Sequence, residues 1–170
     1  MSATVFVADE QSDRPVDVAR WTRLAEGVLA SRGIGEGAEL SMFFVDEVSI
    51  AALNERFLDK TGPTDVLSFP IEDELVGPGH TPYPEQRGPG RVPSEPDDVP
   101  LLVGDVVVCP EVAWRNAPEH AGTYEDEIAL LVVHGILHLL GMDHVDDDEA
   151  SRMESLEQEL LGQLHRSPRP

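Results

Sequence analysis

The chain has 170 residues, enough for one domain that buries a core without disulfides, and Cys109 is its only cysteine. Its formal net charge of -21 argues against the class of proteins that bind nucleic acid by electrostatic attraction alone. The N-terminus lacks a basic segment followed by a long apolar one, and no apolar run is long enough to span a membrane. We therefore expect a cytoplasmic protein without a membrane partner, in which Cys109 is a buried, unreactive thiol.

The first half of the chain predicts strands that alternate with helices. Short β-type runs occupy residues 4–8, 40–45 and 66–69, the last stopped by Pro70. A helix is predicted over residues 16–31, where the apolar residues that recur at helical spacing are Trp21, Leu24, Ala25, Val28 and Leu29. A second helix follows the capping residue Asp46, with Ile50, Leu53 and Phe57 as its buried stripe.

The second half predicts one more strand and three more helices. Residues 77–100 hold seven prolines and four glycines and predict a surface loop. A strand over 101–108 leads to a helix over 110–116 in which Trp114 would anchor the core, and Thr123 can cap the next helix. Asp146, Asp147 and Asp148 suit the start of the final helix, whose apolar stripe is Met153, Leu156, Leu160 and Leu164.

These elements predict an α+β domain or a small α/β layer, and we expect the α+β fold. Residues 1–165 would form a single domain, with a mixed sheet of about four strands packed by about five helices. Residues 166–170 would form a disordered tail.

Half of the six histidines lie within residues 134–144. His134 and His138 are four residues apart, so on a helix they project from the same face about one turn from each other. Gly141 suits a left-handed helix end, after which His144 can approach from the side. Three nitrogen ligands with a fourth position open are typical of a catalytic zinc site. The spacing thus predicts one zinc ion held by His134, His138 and His144.

Gly135 separates this motif from that of a peptidase. Zinc peptidases with the pattern H-E-x-x-H-x-x-G-x-x-H share the three histidines and the glycine, but they carry their general base, a glutamate, where this chain has Gly135. A zinc peptidase stays open as the alternative, with Asp143 or a distant carboxylate as the base.

Three stretches together resemble the YbeY family of bacterial endoribonucleases: residues 62–70 (GPTDVLSFP), Gly104-Asp105 within an apolar strand, and residues 134–144 followed by 147–150. The similarity covers about residues 40–161. It implies a single-strand-specific, zinc-dependent endoribonuclease of the cytoplasm that matures the 3′ end of small-subunit ribosomal RNA and serves ribosome quality control. The implied partner is ribosomal RNA. The acidic charge separately predicts weak binding of free RNA, so we expect small-subunit proteins or an assembly GTPase to supply the missing affinity. A non-catalytic ribosome-assembly factor whose zinc only folds the domain is the third alternative.

The resemblance further implies a functional arginine upstream of residues 64–70. Arg56 is our choice, with Lys60 as the fallback, because a guanidinium fits two oxygens of a phosphodiester under attack. The predicted catalytic set is therefore Arg56, His134 and His138. An exposed helix arginine paired with a nearby carboxylate is the competing interpretation of Arg56.

Four polar residues could support the site. Thr64, Asp65 and Ser68 are expected around the metal ligands rather than among them. Asp105 interrupts an apolar strand, where a carboxylate is costly to bury without hydrogen bonds. It would either anchor the sheet or orient a ligand histidine through the second ring nitrogen.

Overall fold

A four-stranded mixed sheet forms the centre of the computed structural model, which describes residues 3–70, 101–142 and 146–166. Its strands are β1 (Thr4–Asp9), β2 (Ala38–Phe44), β3 (Val66–Pro70) and β4 (Leu101–Val108), in the spatial order β1-β2-β4-β3. β1 and β4 each run parallel to β2, whereas β3 pairs with β4 in the antiparallel sense. The predicted α+β fold with a mixed sheet is confirmed.

Five α-helices lie within the described residues, each near its predicted place: α1 (Val18–Ser31), α2 (Glu47–Leu58), α3 (Pro110–Asn116), α4 (Tyr124–Leu139) and α5 (Asp147–Leu164). The predicted caps are confirmed. The side chains of Asp46, Thr123 and Asp146 accept hydrogen bonds from backbone N–H groups three residues on, at 2.8, 3.1 and 2.8 Å. α1 begins two residues later than predicted, because Asp17 caps it through the N–H of Arg20.

The two faces of the sheet carry hydrophobic clusters of unequal size. The larger cluster joins the sheet to α1, α4 and α5 through buried side chains that include Val28, Leu40, Val106, Ile136 and Leu160. The smaller cluster lies under α2 and consists of Val45, Ile50, Leu67, Val107, Cys109 and Val112. Cys109 is buried as predicted, and burial raises the pKa of its thiol. The histidine helix α4 and helix α2 therefore cover opposite faces.

Three predicted core residues are instead exposed. Trp114 is 45% exposed, because the short α3 places its ring against Tyr124 and under the Arg14 guanidinium rather than over the sheet. Phe57 is 54% exposed; it lies in the last turn of α2 and meets the edge of Phe69. Leu164 is 39% exposed, since it lies at the end of α5, where its side chain covers Gly27.

Several predictions fall outside the described residues. They are the surface loop over 77–100, the third zinc ligand His144 with its neighbour Asp143, and residues 167–170 of the predicted tail. Within the ranges that the structure describes, no helix combines the length and the apolar character that a membrane span requires.

Candidate metal centre

The histidine helix α4 is fixed at both ends by local hydrogen bonds. Glu125, Asp126 and Glu127 lie in its first turn, where the helix dipole favours negative charge. At the other end, Gly141 adopts a left-handed conformation with φ of 96°. Its N–H bonds the carbonyl of His138 at 3.0 Å, and the N–H of Met142 bonds that of Leu137 at 3.0 Å. This is the left-handed helix end that Gly141 predicted, in the form of a Schellman motif, and it turns the chain at residues 141 and 142.

His134 and His138 face each other from successive turns of α4. Their Nε2 atoms lie 3.0 Å apart, with ring centroids at 4.5 Å and ring planes at 78°. Two nitrogens bound to one tetrahedral zinc at about 2.0–2.1 Å would be about 3.4 Å apart. The observed separation is close to that value, and both rings present the same atom. The pair therefore fits one shared ion.

Glu157 of α5 supports the pair from behind. Its carboxylate, only 7% exposed as a residue, accepts a hydrogen bond from Nδ1 of His134. Because Nδ1 donates to a carboxylate, Nε2 of His134 is left as the acceptor that a metal ion requires. Sequence reasoning missed this residue, although one signal was present. Glu157 falls four residues after Met153 and three before Leu160, inside the apolar stripe of α5.

We predict that Glu157→Met weakens zinc binding by about 10- to 100-fold, because it removes the partner that holds the His134 ring and its tautomer. Glu157→Gln keeps an acceptor and should have a smaller effect. Glu154→Gln is the matched control, since Glu154 lies one turn away on α5 and lines the same cavity, whereas the carboxylate on Nδ1 of His134 is that of Glu157. Competition against a chromophoric chelator measures the three affinities; equal values for all three variants would contradict the role of Glu157.

Gly135 is a point of close contact between α4 and the sheet. A Cβ at this position would lie 2.8 Å from Cγ1 of Val106 and 3.3 Å from Oγ of Ser68. The Ser68 hydroxyl donates to the Gly135 carbonyl at 2.9 Å. The residue that replaces the peptidase base is thus also one that lets helix and sheet approach, so a glutamate has no room there unless the Val106 side chain is displaced.

A cavity of about 360 Å³ opens beside His134. Asp65 and Val66, at the start of β3, form one wall, and Glu154 and Glu157 of α5 form another. Asp65 is positioned by its own backbone, since its carbonyl accepts from the N–H of Cys109 at 2.9 Å. The structure therefore brings Asp65 to the site, as predicted for a supporting residue, and the lining is acidic.

Arg56 lies elsewhere. Its guanidinium carbon is 5.1 Å from the ring centre of Phe57, and Phe57 packs on Phe69. Phe69 packs with the smaller cluster, on the sheet face opposite α4. Among the described residues, neither Arg56 nor the fallback Lys60 lines the cavity beside His134. The structure does not bring Arg56 together with the histidine pair, and its catalytic role stays a prediction.

Asp105 points away from the histidines. It pairs across the sheet with Ser41 and Phe69, on the same face as Val107 and opposite α4. Burial raises the pKa of its carboxyl. At His134 the orienting role considered for Asp105 is filled by Glu157.

The described residues hold two histidines of the predicted zinc site and one carboxylate behind them. Within residues 3–70, 101–142 and 146–166, no group of three or more His, Cys, Asp or Glu side chains could hold a metal ion. His144, the predicted third ligand, lies in the stretch between the second and third of these ranges. Fold and site together define an α+β protein with a candidate histidine metal centre.

Comparisons with known proteins identify the family to which this α+β protein belongs. The family model described as Endoribonuclease YbeY matches residues 6–165. A protein of that name from Acidothermus cellulolyticus is 48% identical over 161 residues, which cover 93% of this chain and 89% of the relative. Its namesake from Thermobifida fusca is 44% identical, with 96% of both chains covered. A solution structure of a Thermotoga maritima protein matches with a TM-score of 0.56 at 25% identity, covering 97% of this chain and 94% of that one. This chain belongs to the YbeY family of endoribonucleases, and the resemblance of its motifs is confirmed.

Proposed function

We propose that this protein is a single-strand-specific, zinc-dependent endoribonuclease that matures the 3′ end of small-subunit ribosomal RNA and serves ribosome quality control. The observation that carries the proposal is the His134–His138 pair, whose Nε2 atoms meet at 3.0 Å with Glu157 behind His134. Its presence in a chain of an endoribonuclease family connects the site to cleavage of phosphodiester bonds.

His134 and His138 would hold the zinc ion, joined by His144 from outside the described residues. When bound, zinc would supply electrophilic stabilisation of the charge that develops on a phosphodiester under attack. Glu157 keeps the His134 ring in the tautomer that binds metal. The close contact at Gly135 disfavours a peptidase, because it leaves no space for that mechanism's glutamate.

Charge supports a role for partners in substrate binding. The net charge of -21 and the acidic lining of the cavity by Asp65, Glu154 and Glu157 oppose tight binding of naked RNA. We therefore include small-subunit proteins and an assembly GTPase among the partners that would bring ribosomal RNA to the site. The setting that we propose is the cytoplasm.

Removal of the metal tests the proposal with the full chain. A labelled single-stranded fragment of ribosomal RNA and the same fragment annealed to its complement are incubated with the protein before and after treatment with a chelator. We expect cleavage of the single strand only, loss of cleavage after chelation, and recovery when zinc is added back. Cleavage that survives complete metal removal would contradict zinc dependence. Cleavage of a peptide library with RNA left intact would favour the peptidase.

A further inference from the structure

The cavity beside His134 has a second histidine in its wall. His120 follows the 3₁₀ turn Ala117–Glu119 and precedes α4, and it lines the same cavity as His134, Asp65, Glu154 and Glu157. Its side chain is 59% exposed, so solvent and substrate can reach the ring. A residue outside the 134–144 motif thus contributes an imidazole to the candidate site.

A buried carboxylate holds the His120 ring. Glu127, in the first turn of α4, is fully buried and its two carboxylate oxygens lie 3.0 and 2.8 Å from Nδ1 of His120. One of these oxygens also accepts the backbone N–H of Ala121 at 3.1 Å. Because Nδ1 donates to the carboxylate, the neutral ring keeps Nε2 as a proton acceptor. This is the arrangement in which carboxylates orient histidines that act as general bases.

The three-histidine motif contains no residue that could transfer protons during cleavage. The position next to His134 that holds the base in zinc peptidases is Gly135, which is packed against Val106 and Ser68. Cleavage of a phosphodiester still requires removal of a proton from the attacking hydroxyl and delivery of one to the leaving oxygen. A carboxylate-oriented imidazole in the wall of the same cavity has the chemistry for both steps.

We propose that His120 is the proton-transfer residue of RNA cleavage in this protein and that Glu127 is its positioning residue, an inference that rests on the proposed function. Nε2 of His120 takes the proton of the attacking hydroxyl as its oxygen forms a bond to phosphorus. The bond from phosphorus to the leaving oxygen breaks, and that oxygen takes the proton from the imidazolium. No oxidant, reductant or further reactant is needed.

A purely structural role predicts different behaviour. If the His120–Glu127 contact only fastened residues 117–122 to α4, its loss would lower the melting temperature and leave the pH profile of cleavage unchanged. The other ionisable groups that line the cavity, Asp65, Glu154, Glu157 and His134, are present in every variant of the test. A change between wild type and variant is therefore assigned to His120.

The test uses the full zinc-loaded protein and compares His120→Gln with His165→Gln. His165 is the matched control: its ring also bonds a carboxylate, Asp126, at 2.8 Å, but it lies at the end of α5 and does not line this cavity. We expect His120→Gln to lower kcat for single-stranded RNA by about 100-fold or more. KM and zinc content should stay at the wild-type values, the melting temperature should fall no further than in His165→Gln, and the acid limb of the kcat profile against pH should disappear.

Two additional variants sharpen the result. His120→Ala should recover part of its activity when imidazole is added, at concentrations that leave wild-type cleavage unchanged. Glu127→Gln should lower kcat, and combining it with His120→Gln should lower kcat no further, because both changes remove the same function.

Cleavage by His120→Gln within about threefold of wild type, with an unchanged pH profile, would overturn the inference and leave the proposed function standing. A parallel loss of activity and melting temperature, without rescue of His120→Ala by imidazole, would also overturn it in favour of the structural role. A wild-type protein that does not cleave RNA would overturn the proposed function, and this inference with it.

Discussion

Replacement of His138 by alanine is expected to abolish zinc binding and RNA cleavage while leaving the fold intact. Loss of a residue that merely supports a ligand weakens metal binding by about 10- to 100-fold, so removal of a ligand should cost more than about 100-fold. The His138 side chain is half-buried near the end of α4, where the capping bonds of Gly141 and Met142 involve backbone atoms alone. The helix should therefore persist in the variant.

Zinc content by elemental analysis, melting temperature and single-turnover cleavage measure this prediction. His165→Ala is the control, because it also removes an imidazole but one that bonds Asp126 and Arg20 away from the cavity. Full zinc occupancy in His138→Ala would show that the ion is held by other residues. An equal loss of zinc in both variants would point to general destabilisation rather than to ligation.

Gly135→Glu is expected to destabilise the protein by about 3 kcal/mol or more and to confer no peptidase activity. The new side chain would begin 2.8 Å from Cγ1 of Val106, a residue without solvent exposure, and would carry a carboxylate into an apolar helix–sheet contact. Both the steric clash and the desolvation of the charge oppose folding. Placing the glutamate of the zinc peptidases at position 135 therefore does not restore their mechanism.

Denaturant unfolding measures the effect, with Gly162→Glu as the matched control. Gly162 is exposed on α5, and a Cβ there would meet no heavy atom of the described residues within 4 Å beyond its own helix backbone. We expect that control to change the free energy of unfolding by no more than about 1 kcal/mol. A Gly135→Glu protein as stable as wild type, with chelator-sensitive cleavage of peptides, would contradict this account of Gly135.

Local sequence patterns predicted the parts of the site that one helix contains. The four-residue spacing of His134 and His138 is enough to place both rings on one face, and Gly141 is enough to end the helix after them. The caps at Asp46, Thr123 and Asp146 were predictable for the same reason, because each involves residues three apart. The mixed α+β fold followed from the order of such elements.

Contacts between distant elements could not be read from the sequence. Glu157 on α5 bonds His134 on α4, 23 residues away in the sequence. His120 lines the same cavity from a turn before α4. The one sequence signal of Glu157, its place inside the apolar stripe of α5, does not show which residue it contacts, and His120 has no comparable signal. The prediction that Trp114 anchors the core was wrong for the same reason. Its ring packs against Tyr124 and under the guanidinium of Arg14, outside the core.

X-ray absorption at the zinc edge tests most directly whether His134 and His138 share one zinc ion. The spectrum of the full-length, zinc-loaded protein should show a shell of nitrogen and oxygen ligands with the outer scattering of at least two imidazole rings. That imidazole signal should be unchanged in His165→Gln. A spectrum with a sulfur ligand, or without imidazole scattering, would contradict the assignment of the metal centre to His134 and His138.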